Sequence, residues 1–327
     1  AWKRCDIVAA DPGGPARRAM GNHMTDRTPS LDRRQFIAAA LGTALAASVD
    51  LHAAPLLGKQ RKRSDWAPNS WIEVDLGVLE HNLGLIRQAV AGDARICAVM
   101  KADAYGVGIE FAMPTFIRAG ISCVGIASNE EARMARDCGF KGKLLRVRAA
   151  TEEEVAAALR WKVEELVGSL ASARTIGAIA RKRGRKADVH LALNSAGMSR
   201  NGLEMGTDQG RLDAAEIVAT PGLRIVGVMT HFPGEEPPEL LAGLERFKRE
   251  AAWLFANTAL RREDVLLHAA NSFAVQHLPQ THLDMVRPGG ALYGYGGTPK
   301  PPFAHVASFK TRVASVQAYR AGDRVSY

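Results

Sequence analysis

From residue 70 onward, the sequence alternates between short apolar runs and longer segments whose apolar residues recur at helical spacing. A short apolar run predicts a buried strand, and apolar residues three or four positions apart predict one face of a helix. Asp75 can cap the first helix, and Ser128 and Thr151 each stand three residues before a glutamate, as in a capping box. The predicted strands are Arg95–Met100, Cys123–Ala127, Leu144–Val147, Val163–Val167, Val189–Leu193, Ile225–Thr230, Val265–His268 and Leu283–Val286. The predicted helices run from Asp75 to Gly92, Ser128 to Gly139, Thr151 to Trp161, Leu170 to Arg183, Asp213 to Ala219 and Leu240 to Ala259.

This alternation predicts an α/β fold in which eight parallel strands close into a (β/α)8 TIM barrel. No Gly-x-Gly-x-x-Gly follows the first strand, which argues against a dinucleotide-binding open sheet. After Phe303, Val306–Val316 and Gln317–Tyr327 both look like strands, with no helix between them. We therefore predict an N-terminal extension over residues 1–70, a barrel over 71–302 and the beginning of a β-rich domain over 303–327.

The N-terminal extension resembles a bacterial twin-arginine export signal. Arg33 and Arg34 stand just before Phe36, and a weakly apolar, alanine-rich run over residues 37–47 follows. That run is too short to cross a membrane as a permanent helix. The segment predicts export to the periplasm, cleavage near Ala53 and no membrane attachment afterwards. The alternative is a frayed amphipathic helix.

The net charge of +9 does not indicate nucleic-acid binding. Of the 43 Lys and Arg and 34 Asp and Glu in the 327 residues, residues 1–70 hold 11 and 6. The excess of basic residues is therefore concentrated in the extension, and the rest of the chain is nearly balanced. A nucleic-acid backbone is bound by a concentrated basic surface, which the barrel region lacks.

Two cysteines could form a disulfide inside the barrel. Cys97 and Cys123 fall on neighbouring predicted strands, whose separation of about 4.8 Å lies within the range of a disulfide. In an oxidising periplasm we expect them to be bonded. The alternative is a pair of buried free thiols.

Polar residues stand where five of the predicted strands end, and the carboxyl ends of barrel strands meet at the face that carries active sites. A lysine near other cations in a partly desolvated site has a lowered pKa and can condense with an aldehyde. Taken singly, each of these residues would be an ordinary flank, core residue or turn. Together they predict an active site. The residues are Lys101, Asn194 with Arg200, His231, Asn271 with Ser272, and Arg287.

Five segments of the chain resemble, in order and spacing, the motifs of alanine racemases. These are fold type III enzymes with an N-terminal barrel and a C-terminal β domain, and the resemblance covers about residues 70–327. It implies pyridoxal 5'-phosphate as the cofactor and an amino acid as the substrate. The segments are Val99–Gly106, Gly197–Arg200, Thr230–Phe232, His268–Ser272 and Val286–Gly294.

The resemblance also implies a role for each site residue. Lys101 would be the Schiff-base lysine and one of two catalytic bases, and Tyr327 would be the second base, placed in the partner's site of a homodimer. His231 would connect Tyr327 to Arg287, which would face the pyridine nitrogen. Arg200 would face the phenolic oxygen of the cofactor, and no metal is expected. The further cofactor residues would be Tyr105, Asn271, Ser272, Gly289 and Gly290, and the substrate residues Asn194, Arg200 and Asn201.

The chain departs from the family in two ways. Leu193 and Ser195 stand where alanine racemases usually have a lysine and an aspartate, which resembles the periplasmic broad-specificity amino-acid racemases. Gly289 and Gly290 would fit a roomier pocket for larger substrates, including lysine and arginine. In addition, the sequence stops at Tyr327, so we expect a C-terminally truncated chain whose own activity is open.

Four alternative functions stay open at this point. The first is a racemase specific for alanine, and the second is a non-catalytic barrel that carries pyridoxal phosphate. The third is a metal-assisted lyase that uses the same cofactor, which would need ligands from residues beyond this chain. The fourth is a barrel enzyme without a cofactor, for which the lysine at the barrel mouth would be dispensable.

Overall fold

The structure is a computed structural model that describes residues 7–10, 68–295 and 303–324. The predicted export signal around Arg33 and Arg34 and the predicted second base, Tyr327, lie outside the described residues. Within the described ranges, no helix combines the length and the apolar character that crossing a bilayer requires.

The described residues form the barrel that the alternation predicts. Its eight parallel strands follow one another around the sheet in chain order, and the last of them pairs with the first. The seventh and eighth strands are bridged by backbone hydrogen bonds from Asp284 N to Leu267 O (3.0 Å) and from Arg287 N to Ala270 O (2.9 Å). The strands are Arg95–Val99, Cys123–Ile126, Lys143–Arg146, Val163–Val167, Ala187–Ala192, Leu223–Met229, Leu266–His268 and Met285–Val286.

Helices surround this sheet, and their predicted capping signals are confirmed. Asp75 accepts a hydrogen bond from Val78 N (3.1 Å), and Ser128 and Thr151 both form complete capping boxes. Each cap satisfies backbone N–H groups that have no partner inside the helix. The helices are Leu76–Ala89, Ile109–Arg118, Asn129–Asp137, Glu152–Ala158, Leu170–Lys182, Asp208–Ala219 and Pro237–Asn257, with the short helices Ser272–His277 and Gly290–Tyr293.

Three helices depart from the prediction because of glycine and proline. Ile109–Arg118 was not predicted, and it contains Pro114. The predicted starts at Asp213 and Leu240 are too late, because the helices begin at Asp208 and Pro237. Gly210 lowers the helix propensity of the first turn of Asp208–Ala219. Proline is well tolerated in the first turn of a helix, so Pro237 can begin the helix Pro237–Asn257.

The residues after the barrel contribute one strand to a small second sheet. Ala307–Thr311 pairs antiparallel with Ser70–Asp75, which itself pairs in parallel with Ile7–Ala10. The predicted strand Val306–Val316 is therefore present in shortened form. The predicted strand Gln317–Tyr327 is wrong as far as residue 324, because those residues form no strand in the described part of the chain. A strand needs a neighbour for its backbone groups, and none is paired with them there.

The apolar core lies between the strands and the helices and includes Phe116 and Phe247, both fully buried. The inside of the barrel is different. Its apolar residues form small separate clusters, such as Leu166, Ala192 and Met229. Charged and imidazole side chains share the interior with them, as described below.

The predicted disulfide between Cys97 and Cys123 is not formed, and both residues are buried free thiols. The strand register that prompted the prediction is confirmed, since the two residues are direct partners on neighbouring strands. A hydrogen bond between the thiols, together with burial, raises the pKa of Cys123 well above its ordinary value. The Cys123 thiol therefore keeps its proton.

Candidate active site

Lys101 follows the first barrel strand, and its side chain lines a cavity at the barrel mouth. The next four residues, Ala102 to Tyr105, have φ between 52° and 56°. This left-handed conformation costs roughly 1–2 kcal/mol for each residue other than glycine, so neighbouring contacts must offset it. Asp103 makes two of them, because its carboxylate accepts from Ile109 N (2.8 Å) and its N–H donates to Glu131 (3.3 Å). The turn thereby sets the position of Tyr105 relative to Lys101.

Uncharged hydrogen-bonding groups gather beside Lys101. Tyr105 stacks on Tyr293, with ring centroids 5.1 Å apart, and its hydroxyl accepts from the backbone of Gly290. Burial raises the pKa of Tyr105, so the phenol keeps its proton. Ser272 Oγ accepts from Gly289 N (3.0 Å). A Cβ on Gly289 would lie 2.2 Å from the Tyr105 hydroxyl, so this close approach requires glycine. Such a group of hydroxyls and backbone N–H groups suits a phosphate dianion.

Arg287 is buried at the mouth and is held entirely by neutral acceptors. It donates to His268 Nδ1 (2.6 Å), Thr230 O (2.9 Å), Ala269 O (3.2 Å) and, at the longest distance, His231 Nδ1 (3.3 Å). Burial lowers the pKa of Arg287 to about 10, which still leaves it charged at neutral pH. The guanidinium charge therefore remains available to a ligand in the cavity.

The electrostatics of the site favour an anionic ligand. Burial and then the charges of Arg287, Arg200 and Lys101 lower the pKa of His231 to about 3. His231 is therefore neutral at physiological pH, and its Nδ1 can accept from Arg287. Three cations converge on one cavity without a matching set of carboxylates, so a bound phosphate or carboxylate would relieve their mutual repulsion.

The loop after the strand Ala187–Ala192 brings three predicted residues to the cavity wall: Asn194, Arg200 and Asn201. The amide of Asn194 is engaged within the loop, because it contacts the Ser199 backbone N–H (2.7 Å), the Ser199 hydroxyl (3.3 Å) and Glu204 (3.0 Å). Asn194 thus shapes the loop that presents Arg200 and Asn201.

Leu193 and Ser195 are the two positions at which the sequence departs from the motif that it resembles. Leu193 is buried, and Ser195 donates a hydrogen bond to Glu250. Burial raises the pKa of Glu250. A carboxyl group from the helix Pro237–Asn257 thus reaches the place beside Ser195, and no sequence signal placed it there.

The cavity encloses about 280 Å³, close to the lower end of the range of small-molecule sites, roughly 300–1,000 Å³. Of the predicted residues, Asn271 caps the helix Ser272–His277 by accepting from Ala274 N (3.0 Å) and also lines the cavity. The described residues contain no group of three or more His, Cys, Asp or Glu side chains arranged to hold a metal. Apart from Tyr327, the predicted catalytic and ligand-binding residues all line this cavity: Lys101, Tyr105, Asn194, Arg200, Asn201, His231, Asn271, Ser272, Arg287, Gly289 and Gly290.

Residues 74–297 match the family model of the alanine racemase N-terminal domain. The chain is 46% identical over 296 residues to a broad specificity amino-acid racemase of Pseudomonas taetrolens, which covers 90% of this chain and 72% of that protein. It is 40% identical over 259 residues to a lysine racemase of Proteus mirabilis, covering 79% of this chain and 63% of that one.

The fold is also similar to a solved structure. Alanine racemase from Clostridium difficile 630 superposes with a TM-score of 0.70 at 25% identity, over 80% of this chain and 69% of that one. The chain thus spans between about three fifths and three quarters of the length of the proteins it matches.

Proposed function

The chain belongs to the alanine racemase family, and from this premise we propose that it is a pyridoxal-phosphate-dependent racemase that interconverts L- and D-amino acids with broad specificity. One observation carries the proposal. Lys101 shares a cavity with uncharged donors suited to a phosphate and with the buried cation Arg287. Because the chain spans 63–72% of the length of these two relatives, the activity is proposed for the full-length protein.

The residues present fit the proposed cofactor. Tyr105, Ser272 and the backbone of Gly289 would hold its phosphate, Arg200 would face its phenolic oxygen, and Lys101 would bind it covalently. When bound, pyridoxal phosphate supplies an aldehyde that condenses with amines and a conjugated ring that accepts the electron pair of a broken Cα–H bond.

The protein residues would then control the movement of protons. Racemisation removes the Cα proton on one face and returns a proton on the other, so two bases must stand on opposite sides. Lys101 would hold the proton on one side. Tyr327 would hold it on the other, from the partner subunit of a homodimer. Arg287 can only donate hydrogen bonds, so it would leave the facing ring nitrogen unprotonated, which favours racemisation over transamination.

Broad specificity, including basic amino acids, is supported by the cavity wall. Among the described residues that line it, Glu235 is the one carboxylate. A lysine or arginine side chain could pair with it, whereas alanine could not. We expect Glu235→Gln to raise KM for lysine by about two- to fivefold, the range of an exposed ion pair, and to leave KM for alanine unchanged. Equal effects on both substrates would contradict this role.

Periplasmic export by a twin-arginine signal completes the proposal, supported by Arg33, Arg34 and the alanine-rich run that follows. Fractionation of cells that produce the full-length protein should find it in the periplasm. Replacing both arginines with lysine should retain it in the cytoplasm. Export of that variant at the wild-type level would contradict the predicted signal.

The experiment that tests the function uses the full-length protein loaded with pyridoxal phosphate. Borohydride reduction followed by peptide mapping should place the cofactor on Lys101, and Lys101→Ala should stay colourless. Cα proton exchange in D₂O should occur with lysine, arginine, methionine and alanine. Exchange with alanine only would indicate an alanine-specific racemase. Trapped cofactor without exchange would indicate a non-catalytic carrier, and no trapped cofactor would refute the proposal.

A further inference from the structure

A chain of buried polar groups runs from Arg287 down the inside of the barrel. Arg287 contacts His268 Nδ1 (2.6 Å), His268 Nε2 contacts His190 Nδ1 (2.8 Å), and His190 Nε2 contacts Glu164 (2.8 Å). His268, His190 and Glu164 are 0%, 1% and 5% exposed. The second oxygen of Glu164 meets Lys143 (2.8 Å), whose side chain is 46% exposed. This series of hydrogen-bonded side chains therefore connects the proposed active site to the solvent at the opposite side of the barrel interior.

The chemistry of Arg287 fixes the direction of every bond in this chain. A guanidinium donates hydrogen bonds and cannot accept them, so His268 Nδ1 must be unprotonated. Burial, followed by the charge of Arg287, lowers the pKa of His268 far below its ordinary value, so its only proton is on Nε2. That proton points at His190 Nδ1, which must accept it. The remaining proton of His190 is then on Nε2 and is donated to Glu164.

The acceptor at the end of the chain is a carboxylate. Burial raises the pKa of Glu164, but the hydrogen bonds from His190 and Lys143 outweigh burial and hold it below its ordinary value. A protonated Glu164 or a doubly protonated His190 would place two donors against each other. The arrangement with two neutral imidazoles, each in a single tautomer, is therefore the one that satisfies every group.

The sheet places these side chains in one line. His190 is the register partner of Leu166 and of Gly227, and His268 is the partner of Met229 on the next strand. A Cβ on residue 227 would lie 2.1 Å from His190 Nδ1, so glycine at this position provides the space for the ring. Side chains alternate between the two faces of a strand, and Glu164 and Leu166 therefore share the inward face.

We propose that Glu164 and His190 are positioning residues, which fix His268 in the tautomer that accepts from Arg287 and so hold the guanidinium at the mouth of the barrel. The proposal rests on the proposed function only for its effect on catalysis. The tautomers themselves are a property of the protein without cofactor. Without the carboxylate, His190 can carry its proton on Nδ1 and donate it to His268 Nε2. The proton of His268 must then be on Nδ1, so Arg287 loses its shortest hydrogen bond.

The first test is imidazole ¹⁵N–¹H NMR of the full-length apo protein at neutral pH, which distinguishes protonated from unprotonated ring nitrogens. We expect both His190 and His268 to carry a single proton, on Nε2. A proton on Nδ1 of either ring, or two protons on His190, would overturn the proposal. This measurement needs no variant and no activity, so its outcome is independent of whether the protein is a racemase.

The second test compares three variants. Glu164→Leu removes the acceptor and should produce mixed tautomers of His268. Glu164→Gln keeps an amide oxygen that can accept from His190 and should restore the wild-type tautomers. Lys143→Met is the matched control, because it removes the ion pair of Glu164 and leaves the acceptor in place. Wild-type tautomers in Glu164→Leu would refute the positioning role of Glu164. If that variant does not fold, the imidazole NMR spectrum of the wild-type protein decides whether the proposed tautomers are present.

The same variants test the consequence for catalysis in the cofactor-loaded protein. Glu164→Leu should lower kcat at least about tenfold, equivalent to about 1.4 kcal/mol, with KM changed less than about threefold. Glu164→Gln and Lys143→Met should stay within about threefold of wild type. Equal kcat in the Leu and Gln variants would refute the positioning role. A wild-type protein with the predicted tautomers but no racemisation would instead refute the proposed function.

Discussion

Gly227→Ala is the substitution whose effect the barrel interior predicts most directly. A methyl group at this position would lie 2.1 Å from Nδ1 and 2.7 Å from Cε1 of His190. Carbon and nitrogen atoms in ordinary contact are about 3.5 Å apart, so the ring would have to move by more than about 1 Å. The buried ring is already bound at both nitrogens, because His268 and Glu164 contact it at 2.8 Å each.

The magnitude follows from the two bonds that this movement breaks. Hydrogen bonds weaken steeply beyond about 3.2 Å, so both of the His190 contacts would be lost. A buried polar group left without its partner costs about 1–3 kcal/mol. We therefore expect Gly227→Ala to lower the free energy of unfolding by about 2–6 kcal/mol.

Urea denaturation of the apo protein measures this difference. The matched control is Gly84→Ala, in the middle of the helix Leu76–Ala89, where an added Cβ meets nothing within 4 Å. That variant should be more stable than wild type by about 0.5–1 kcal/mol, because alanine is the better helix former. If Gly227→Ala unfolds within about 0.5 kcal/mol of wild type, the close packing of His190 against this backbone is refuted.

Three other measurements test separate parts of the structure. Gly289→Ala should displace the Tyr105 hydroxyl and raise the Kd for pyridoxal phosphate at least about tenfold; an unchanged Kd would contradict the proposed phosphate site. The pKa of His231 is about 3 in the folded protein and 6.5 in the unfolded chain, so between these pH values the unfolded chain binds one proton more. The contribution of His231 to the free energy of unfolding therefore rises with pH in this range. His231→Gln should remove up to about 1.4 kcal/mol per pH unit from the slope of the unfolding free energy between pH 4 and 6.5, and a wild-type slope would count against this. Alkylation of the denatured, unreduced protein should modify both Cys97 and Cys123, whereas a disulfide-linked peptide pair would contradict the free thiols.

The barrel could be predicted from sequence because its strands are short apolar runs separated by strong helix signals. The capping boxes at Ser128 and Thr151 locate the first residues of their helices. Prediction failed where a local preference was overridden by packing. Pro114 lies within the helix Ile109–Arg118, whose buried apolar face packs into the core in spite of the proline. The prediction for the C-terminal segment failed for the opposite reason, because residues 317–324 look like a strand but pair with no strand in the described part of the chain.

The residues that line the candidate site could also be named from the sequence, because they follow barrel strands and most of them belong to the motif segments. The layer beneath it could not. Glu164 and His190 lie within strands, where a polar residue gives no signal of its partner. Glu250 reaches Ser195 from a helix 55 residues further along the chain. Such contacts depend on the curvature and register of the sheet, which a linear pattern does not contain.

The left-handed turn after Lys101 has a consequence for protein engineering. A reactive lysine is often transferred to a new scaffold as one side chain, chosen for reach and burial. Here the backbone beside it would relax to an ordinary conformation without the carboxylates of Asp103 and Glu131 that hold it. A designer who wishes to graft this lysine onto another barrel must therefore transplant the whole turn with both acidic anchors, or accept an amine that points elsewhere.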